Sequence, residues 1–211
     1  MTKNIEENHN RAAIVFVHGQ EAKMRIITGS ARGTRLETLD GEDTRPTPER
    51  VKEAIFSMIQ FEIEGRRVFD IFAGTGQLGL EALSRGAAAA LLCDNRRDAT
   101  EIIKRNARRT NLYDRCRVMC SDAYTLVRSL SGREQFNIFF VDPPYTDKSI
   151  GTIVSSLHRY NLCAPGAVVI AESDQREPLE IEGFEVRRHN RYGRVYITVY
   201  DYKGTEEAGE Q

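Results

Sequence analysis

Asp70-Ile71-Phe72-Ala73-Gly74-Thr75-Gly76-Gln77-Leu78-Gly79 is the stretch on which the reading of this chain turns. Residues 68–72 form an apolar run of strand type and residues 78–85 have helical periodicity, so the glycines lie at a strand-to-helix junction. Gly74, Gly76 and Gly79 fit the spacing GxGxxG, which lets a ligand approach the backbone where a Cβ would stand in the way. Phe72 and Ala73 lead into that loop. The spacing by itself does not choose the ligand.

Downstream of Gly65 the pattern repeats. Strand-like runs at 68–72, 89–93, 118–120 and 138–141 alternate with helical stretches at 78–85, 99–111, 123–130 and 150–160. Such alternation predicts an α/β fold with a doubly wound, mostly parallel sheet of Rossmann-like type. Residues 168–171 add a strand, and 184–188 with 195–200, separated by Tyr192-Gly193, read as a final antiparallel pair, giving seven strands. Upstream, 25–30 and 33–36 predict a small hairpin with a basic surface. Thr47-Pro48 has the cap and first-turn proline of a helix running to about residue 61. The expected organisation is an extension over 1–23, a hairpin and helix over 24–62, a catalytic domain over 63–202 and a polar tail over 203–211.

With 211 residues and 40% hydrophobic content, the chain suits one domain with a sizeable core. No apolar run approaches the ~20 residues that span a bilayer. The opening MTKNIEENHN lacks the order of a signal peptide, so a cytoplasmic protein without membrane attachment is expected. Cys93, Cys116, Cys120 and Cys163 form no CxxC pair, and Cys93 and Cys120 fall in apolar, strand-like surroundings. Reduced structural thiols are expected, and no metal.

The net charge of −1 conceals three basic islands: Lys23, Arg25, Arg32 and Arg35; Arg187, Arg188, Arg191 and Arg194; and a third spanning 96–117, with eight basic residues against three acids. Each alone is a solvated face. Convergence of such islands on one side of the fold would make a phosphate-binding surface.

The acids are placed differently. Asp70, Asp94, Asp122 and Asp142 each close a strand-like run, and ligands of open α/β sheets bind outside the carboxyl ends of the strands. Asp94, twenty residues after Gly74, suits ribose hydroxyls of either NAD or S-adenosylmethionine. Asp70 suits the cationic methionine end of the methyl donor and would oppose a pyrophosphate. Asp122 suits an adenine amino group, with Ala123 leaving room for the ring. Asp142-Pro143-Pro144-Tyr145 follows Ile138-Phe139-Phe140-Val141, and two prolines without N–H donors forbid continuation of the strand. The resulting stiff loop presents a carboxylate, a proline carbonyl and an aromatic face, a set suited to a flat heterocycle bearing an amine. Each acid also has a plainer reading, as a turn residue or as an acceptor for loop N–H groups.

On Met24-Arg25-Ile26-Ile27-Thr28-Gly29, the segment Arg45-Pro46-Thr47-Pro48-Glu49-Arg50-Val51-Lys52-Glu53-Ala54-Ile55-Phe56, the glycine loop continued to Ala87, and Asp142-Pro143-Pro144-Tyr145, the chain resembles the class I S-adenosylmethionine-dependent methyltransferases. Within them it resembles the RsmD-like 16S ribosomal RNA guanine-N2 methyltransferases. The resemblance implies that Asp70 and the 74–79 loop hold the donor's methionine end, Asp94 with Asn95 its ribose, and Asp122 with Ala123 its adenine. It implies that Asp142, Pro143, Pro144 and Tyr145 hold the target base. It also implies 16S ribosomal RNA as partner, naked or in a partly assembled small subunit. Asp94 stands where the family more often has glutamate, which shortens the reach to the ribose.

Arg25, Arg32, Arg35, Thr47 and Arg50 are the expected RNA contacts, with a structural lid over the sheet as the alternative. Guanine presents adjacent N1–H and N2–H donors that one carboxylate accepts together, whereas adenine offers a donor beside an acceptor. The Asp142 loop nevertheless leaves adenine-N6 methylation of DNA or RNA open, and a non-catalytic RNA-binding module is a third possibility.

Overall fold

The computed structural model describes residues 24–39, 49–144 and 150–204. The expected extension over 1–23, Thr47, Tyr145 and the tail from 205 lie outside the described residues. Helix α1 (Glu49–Met58) precedes a regular alternation of β1 (Arg67–Asp70), α2 (Gln77–Ser84), β2 (Ala89–Asp94), α3 (Arg97–Arg109), β3 (Cys116–Cys120), α4 (Ala123–Ser129), β4 (Phe136–Val141), α5 (Ile150–Arg159) and β5 (Cys163–Ser173). The chain then forms β6 (Phe184–Tyr192) and β7 (Val195–Tyr202).

The seven strands lie in the order β3-β2-β1-β4-β5-β7-β6. The first five are parallel, and β7 runs antiparallel to both β5 and β6. The order reverses between β1 and β4, which makes the carboxyl ends of those two strands the switch point where open α/β sheets take their ligands. Central strands must be apolar on both faces, and β4 complies with Phe136, Ile138, Phe139, Phe140 and Val141 all buried. Their alternation divides the core. Val68, Leu92, Ile138 and Phe140 pack under α1–α3, while Phe69, Leu91, Phe139 and Val141 pack under α4 and α5.

Several boundaries differ from the sequence expectation for identifiable reasons. Strand β1 ends at Asp70 because the chain turns into the glycine loop there, although Ile71 still donates its N–H to the Phe140 carbonyl at 3.0 Å. Strand β6 continues to Tyr192, four residues further than expected, because an edge strand tolerates its charged residues. Cys120 corrects another expectation: it lies on β3, an edge strand, and is exposed, so only Cys93, Cys116 and Cys163 are interior. Burial pushes each of those three thiols up to about 12, which keeps them protonated and inert.

The N-terminal hairpin forms as a single bridge between Arg25 and Arg35 and is held down by polar side chains. Glu81 lies in the middle of α2, a helix buried along its whole length. Its carboxylate accepts the N–H groups of Ile27 (2.7 Å) and Thr28 (3.0 Å) and the Nε–H of Arg85 (2.7 Å). Ser84 Oγ donates to the Thr28 carbonyl at 2.6 Å and accepts from Ala31 N–H at 3.0 Å. A Cβ at Gly29 would stand 1.8 Å from the Ser84 carbonyl oxygen, so only glycine permits this approach. Lys52 is buried with its ammonium on the Arg25 carbonyl at 3.0 Å, and burial pulls it below its ordinary value.

Replacing Glu81 with Ala leaves two backbone donors without their acceptor, at a cost of about 1–3 kcal/mol. Urea unfolding of Glu81→Ala is expected to show that loss, and hydrogen exchange to show faster exchange selectively at Ile27 and Thr28.

Candidate functional site

The carboxyl ends of β3, β2, β1 and β4 are consecutive in the sheet, and each delivers one of the four acids. The acids therefore stand in the line Asp122, Asp94, Asp70, Asp142. With strands ~4.8 Å apart, that line spans roughly 14 Å, enough for an elongated ligand with a second molecule at its end. Register fixes the relative heights. Asp70 pairs with Leu92 on one side and Phe140 on the other, so Asp94 and Asp142 both stand two residues beyond it. Asp122 stands two residues beyond Cys120, which pairs with Asp94.

The glycine loop is tied to this line by its own amides. Gly74 N–H donates to Asp94 Oδ2 at 2.9 Å, and Gly79 N–H, in the first turn of α2, donates to Asp70 Oδ2 at 2.9 Å. The remaining oxygen of Asp94 accepts Arg96 N–H at 2.9 Å. Since each carboxylate oxygen has two lone pairs, Asp94 keeps acceptor capacity for hydroxyl donors. Ala73 N–H adds a bond to the Cys93 carbonyl of β2 at 2.8 Å, and Gly76 N–H closes the loop on the Ala73 carbonyl at 2.7 Å.

The three glycines have different duties. A Cβ at Gly79 would lie 2.8 Å from Leu92 Cγ, and one at Gly76 would lie 3.1 Å from Leu92 Cδ2 and 3.2 Å from Ile103 Cγ2. Those two let α2 and its loop close on β2 and α3. A Cβ at Gly74 would meet nothing within 4 Å, so Gly74, with φ +55°, faces open space. That half-exposed surface beside Asp94 is the cradle a ligand would fill. It fits S-adenosylmethionine, whose ribose offers hydroxyl donors and whose methionine end offers an ammonium.

Electrostatics single out Asp70. It is 2% exposed, and burial pushes its carboxyl up to about 7 despite the Gly79 N–H, with the nearby Asp94 adding to the rise. Burial also raises Asp94, against the N–H groups of Arg96 and Gly74. A cation arriving between these carboxylates would relieve both.

The other expected residues are distributed unevenly. Asp122 caps α4 by accepting Thr125 N–H at 2.9 Å, and Ala123 is buried in the core behind it. Asn95 is exposed at the exit of β2, where its carbonyl faces Cys120 Sγ. Asp142 is half-buried, Pro143 buried and Pro144 exposed directly after β4.

Arg25 pairs with Glu49 in the first turn of α1 at 2.9 Å. Arg35 lies near the last turn of α3, its carbonyl 3.5 Å from Arg109 Nη1. Arg32 lies near the hairpin tip, which docks on the C-terminal end of α2, at the opposite end of the sheet from the four acids. Arg50 stands at the carboxyl-end side, its guanidinium against Gly193.

Sequence reasoning passed over Glu81, Ser84 and Asn106 as positioning residues. Asn106 accepts Glu37 N–H at 2.7 Å and donates to the carbonyls of Glu37 (3.0 Å) and Thr75 (3.1 Å), joining the N-terminal segment to the glycine loop. A glutamate and a serine three residues apart inside an otherwise apolar helix were the available signal.

Sheet order, glycine loop and acid line define the class: the fold is that of the S-adenosylmethionine-dependent methyltransferases. The chain belongs to the family described as Conserved hypothetical protein 95, which it matches over residues 24–201. It is 33% identical to the YlbH protein of Bacillus subtilis over 184 residues, covering 86% of this chain and all of that one. It is 31% identical to Ribosomal RNA small subunit methyltransferase D of Escherichia coli over 193 residues, 90% of this chain and 96% of the relative. The solved structure of the Escherichia coli protein yhhF superposes with a TM-score of 0.77 at 32% identity, covering 87% of this chain and 99% of that one. The RsmD-like resemblance thus holds.

Asp70 supplies a test of the site's electrostatics. A buried carboxyl near 7 in the fold and near its ordinary value when unfolded favours the protonated native state. Its contribution to stability is complete below about pH 4 and is lost as pH rises through about 7. Asp70→Asn cannot titrate. Urea unfolding at pH 5 and pH 8.5 is expected to show wild type losing stability relative to Asp70→Asn, by an amount on the order of a few kcal/mol.

Proposed function

We propose that the protein transfers the methyl group of S-adenosylmethionine to the exocyclic N2 amine of a guanine in small-subunit (16S) ribosomal RNA. The observation that carries this reading is the position of Asp142-Pro143-Pro144 directly after β4, across the switch point from Asp70 at the end of β1. A carboxylate and a proline carbonyl beside the Asp70 end of the acid line support the reading of this loop as the holder of the target base. The Escherichia coli relative, named a small-subunit ribosomal RNA methyltransferase, supports the choice of RNA.

S-adenosylmethionine supplies an electrophilic methyl group on a sulfonium centre. The residues of the chain supply everything else. Asp94 holds the ribose hydroxyls, Asp122 receives the adenine amino group and Asp70 receives the ammonium, with Gly74 leaving the space the ligand occupies. An exocyclic guanine amine is a poor nucleophile because its lone pair is delocalised into the ring. Asp142 and the Pro143 carbonyl accept its hydrogens, favour a tetrahedral nitrogen and aim it at the methyl group, and Asp142 is placed to take the released proton. The base would have left its helical stack to reach the loop, and the resemblance assigns Tyr145, outside the described residues, to stacking on it. Pro143 and Pro144 restrict the backbone at the strand exit, which lowers the ordering cost of those two residues on binding. A ribosomal RNA substrate, naked or within a partly assembled small subunit, implies work in the cytoplasm. None of the described helices is long and apolar enough to cross a membrane.

Nucleoside analysis by mass spectrometry of unmethylated small-subunit ribosomal RNA, incubated with protein and methyl donor, is expected to show N2-methylguanosine. Asp142→Ala is expected to lower kcat by roughly 10²–10⁴-fold while S-adenosylhomocysteine still binds as tightly as to wild type. Wild-type turnover in Asp142→Ala, or N6-methyladenosine in DNA as the product, would overturn the reading.

A further inference from the structure

Of the three basic islands in the sequence, the one over 187–194 is divided by the fold. Arg187 is committed to structure, its guanidinium forked between Glu62 and Asp201. Arg191 and Arg194 are carried to the β6–β7 turn. Register places this turn beside the Asp142 loop. Val141 pairs with Ala171, which sets Pro143 level with Ser173, and Ser173 pairs with Tyr196. Arg191 pairs with Tyr196 and Tyr192 with Val195, so Gly193 and Arg194 each project two residues past that level, about 7 Å beyond it. The turn joins the strands two and three places from β4, about 10–14 Å to the side.

A third cation joins them from a different element. Arg50, in the first turn of α1, lies against the turn, so that a Cβ at Gly193 would stand 3.3 Å from its Nη2. Arg191 Nε donates to the Gly193 carbonyl at 2.9 Å, which orients its guanidinium, and the Tyr196 ring lies 6.0 Å beneath. Among the described residues no carboxylate forms an ion pair with Arg50, Arg191 or Arg194, whereas Arg25 is paired with Glu49 and Arg105 with Glu37. All three are exposed. Three unneutralised guanidiniums converging from two elements make a phosphate-binding surface of the kind that fixes the register of a nucleic acid without reading its bases.

We infer that the β6–β7 turn, with Arg50, Arg191 and Arg194, grips the RNA backbone flanking the target base, leaving the hairpin tip with Arg32 out of contact. This rests on the RNA-methylation reading above and adds a docking surface to it. A base turned out into the Asp142 loop needs its neighbouring phosphates held beside that loop. The turn lies at the right end of the sheet for this, and the hairpin tip lies at the other.

Binding of unmethylated small-subunit ribosomal RNA, measured across a series of potassium chloride concentrations, tests the inference. Removing one phosphate-neutralising cation from the interface lowers the slope of log K against log salt by about 0.7. The double variant Arg50→Gln/Arg194→Gln, both exposed side chains whose removal leaves the core untouched, is expected to lower the slope by about 1.4. It is also expected to raise KM for RNA by roughly tenfold or more for each arginine, with affinity for S-adenosylhomocysteine unchanged. Adding Arg191→Gln is expected to deepen both effects, and Arg32→Gln to alter neither. An unchanged slope in the double variant, or a slope lowered only by Arg32→Gln, would overturn the inference. If the slopes change as expected but wild type forms no N2-methylguanosine, the docking surface stands and the guanine-methylation reading falls.

Discussion

Two backbone amides determine where everything else in the site can lie. Gly74 N–H on Asp94 and Gly79 N–H on Asp70 tie the loop after β1 to the ends of two neighbouring strands. The bonds exist only because Gly76 and Gly79 let α2 and its loop settle against Leu92 and Ile103. The same carboxylates that hold the loop are the acceptors a ligand would use, so forming the loop and forming the binding site are one event. For Asp70 this has a cost, because a carboxylate with one N–H partner and almost no water is driven toward its protonated form. On the proposed reading a ligand cation would restore its charge, coupling occupancy of the site to the ionisation of a core residue.

The N-terminal segment belongs to the same construction. Glu81 and Ser84 bind its backbone from α2, and Asn106 binds it from α3 while also holding the Thr75 carbonyl of the glycine loop. The segment is therefore a strap over the helices that carry the loop, with one end at the loop itself. Its basic residues face other duties: Arg25 completes a pair with α1, and Arg32 decorates the far end. Charge pattern along the chain hides this division, because three-dimensional placement and not abundance decides which arginines remain available to a polyanion.

Much of the fold was legible. The period changes at each strand–helix junction, and Gly74, Gly76 and Gly79 mark the one that matters, so seven strands and their mostly parallel arrangement follow from pattern alone. The four acids were legible for the same reason, since each closes an apolar run. Their order across the sheet was not, because adjacency of β1 with β4 is a long-range pairing that no local signal encodes. Cys120 misled because a short apolar strand reads the same at an edge as at the centre. From the sequence, Tyr192-Gly193 read as a plain hairpin connection in preference to a border of the target pocket. Only the approach of Arg50, more than a hundred residues away in sequence, gives it a role.

The most direct test of the acid line is a crystal structure of the protein with S-adenosylhomocysteine. The account predicts adenine at Asp122, ribose hydroxyls on Asp94 and the ammonium on Asp70, with the sulfur directed toward the Asp142 loop. A ligand bound elsewhere, or one lying across the sheet in the opposite sense with its adenine at Asp142, would contradict it.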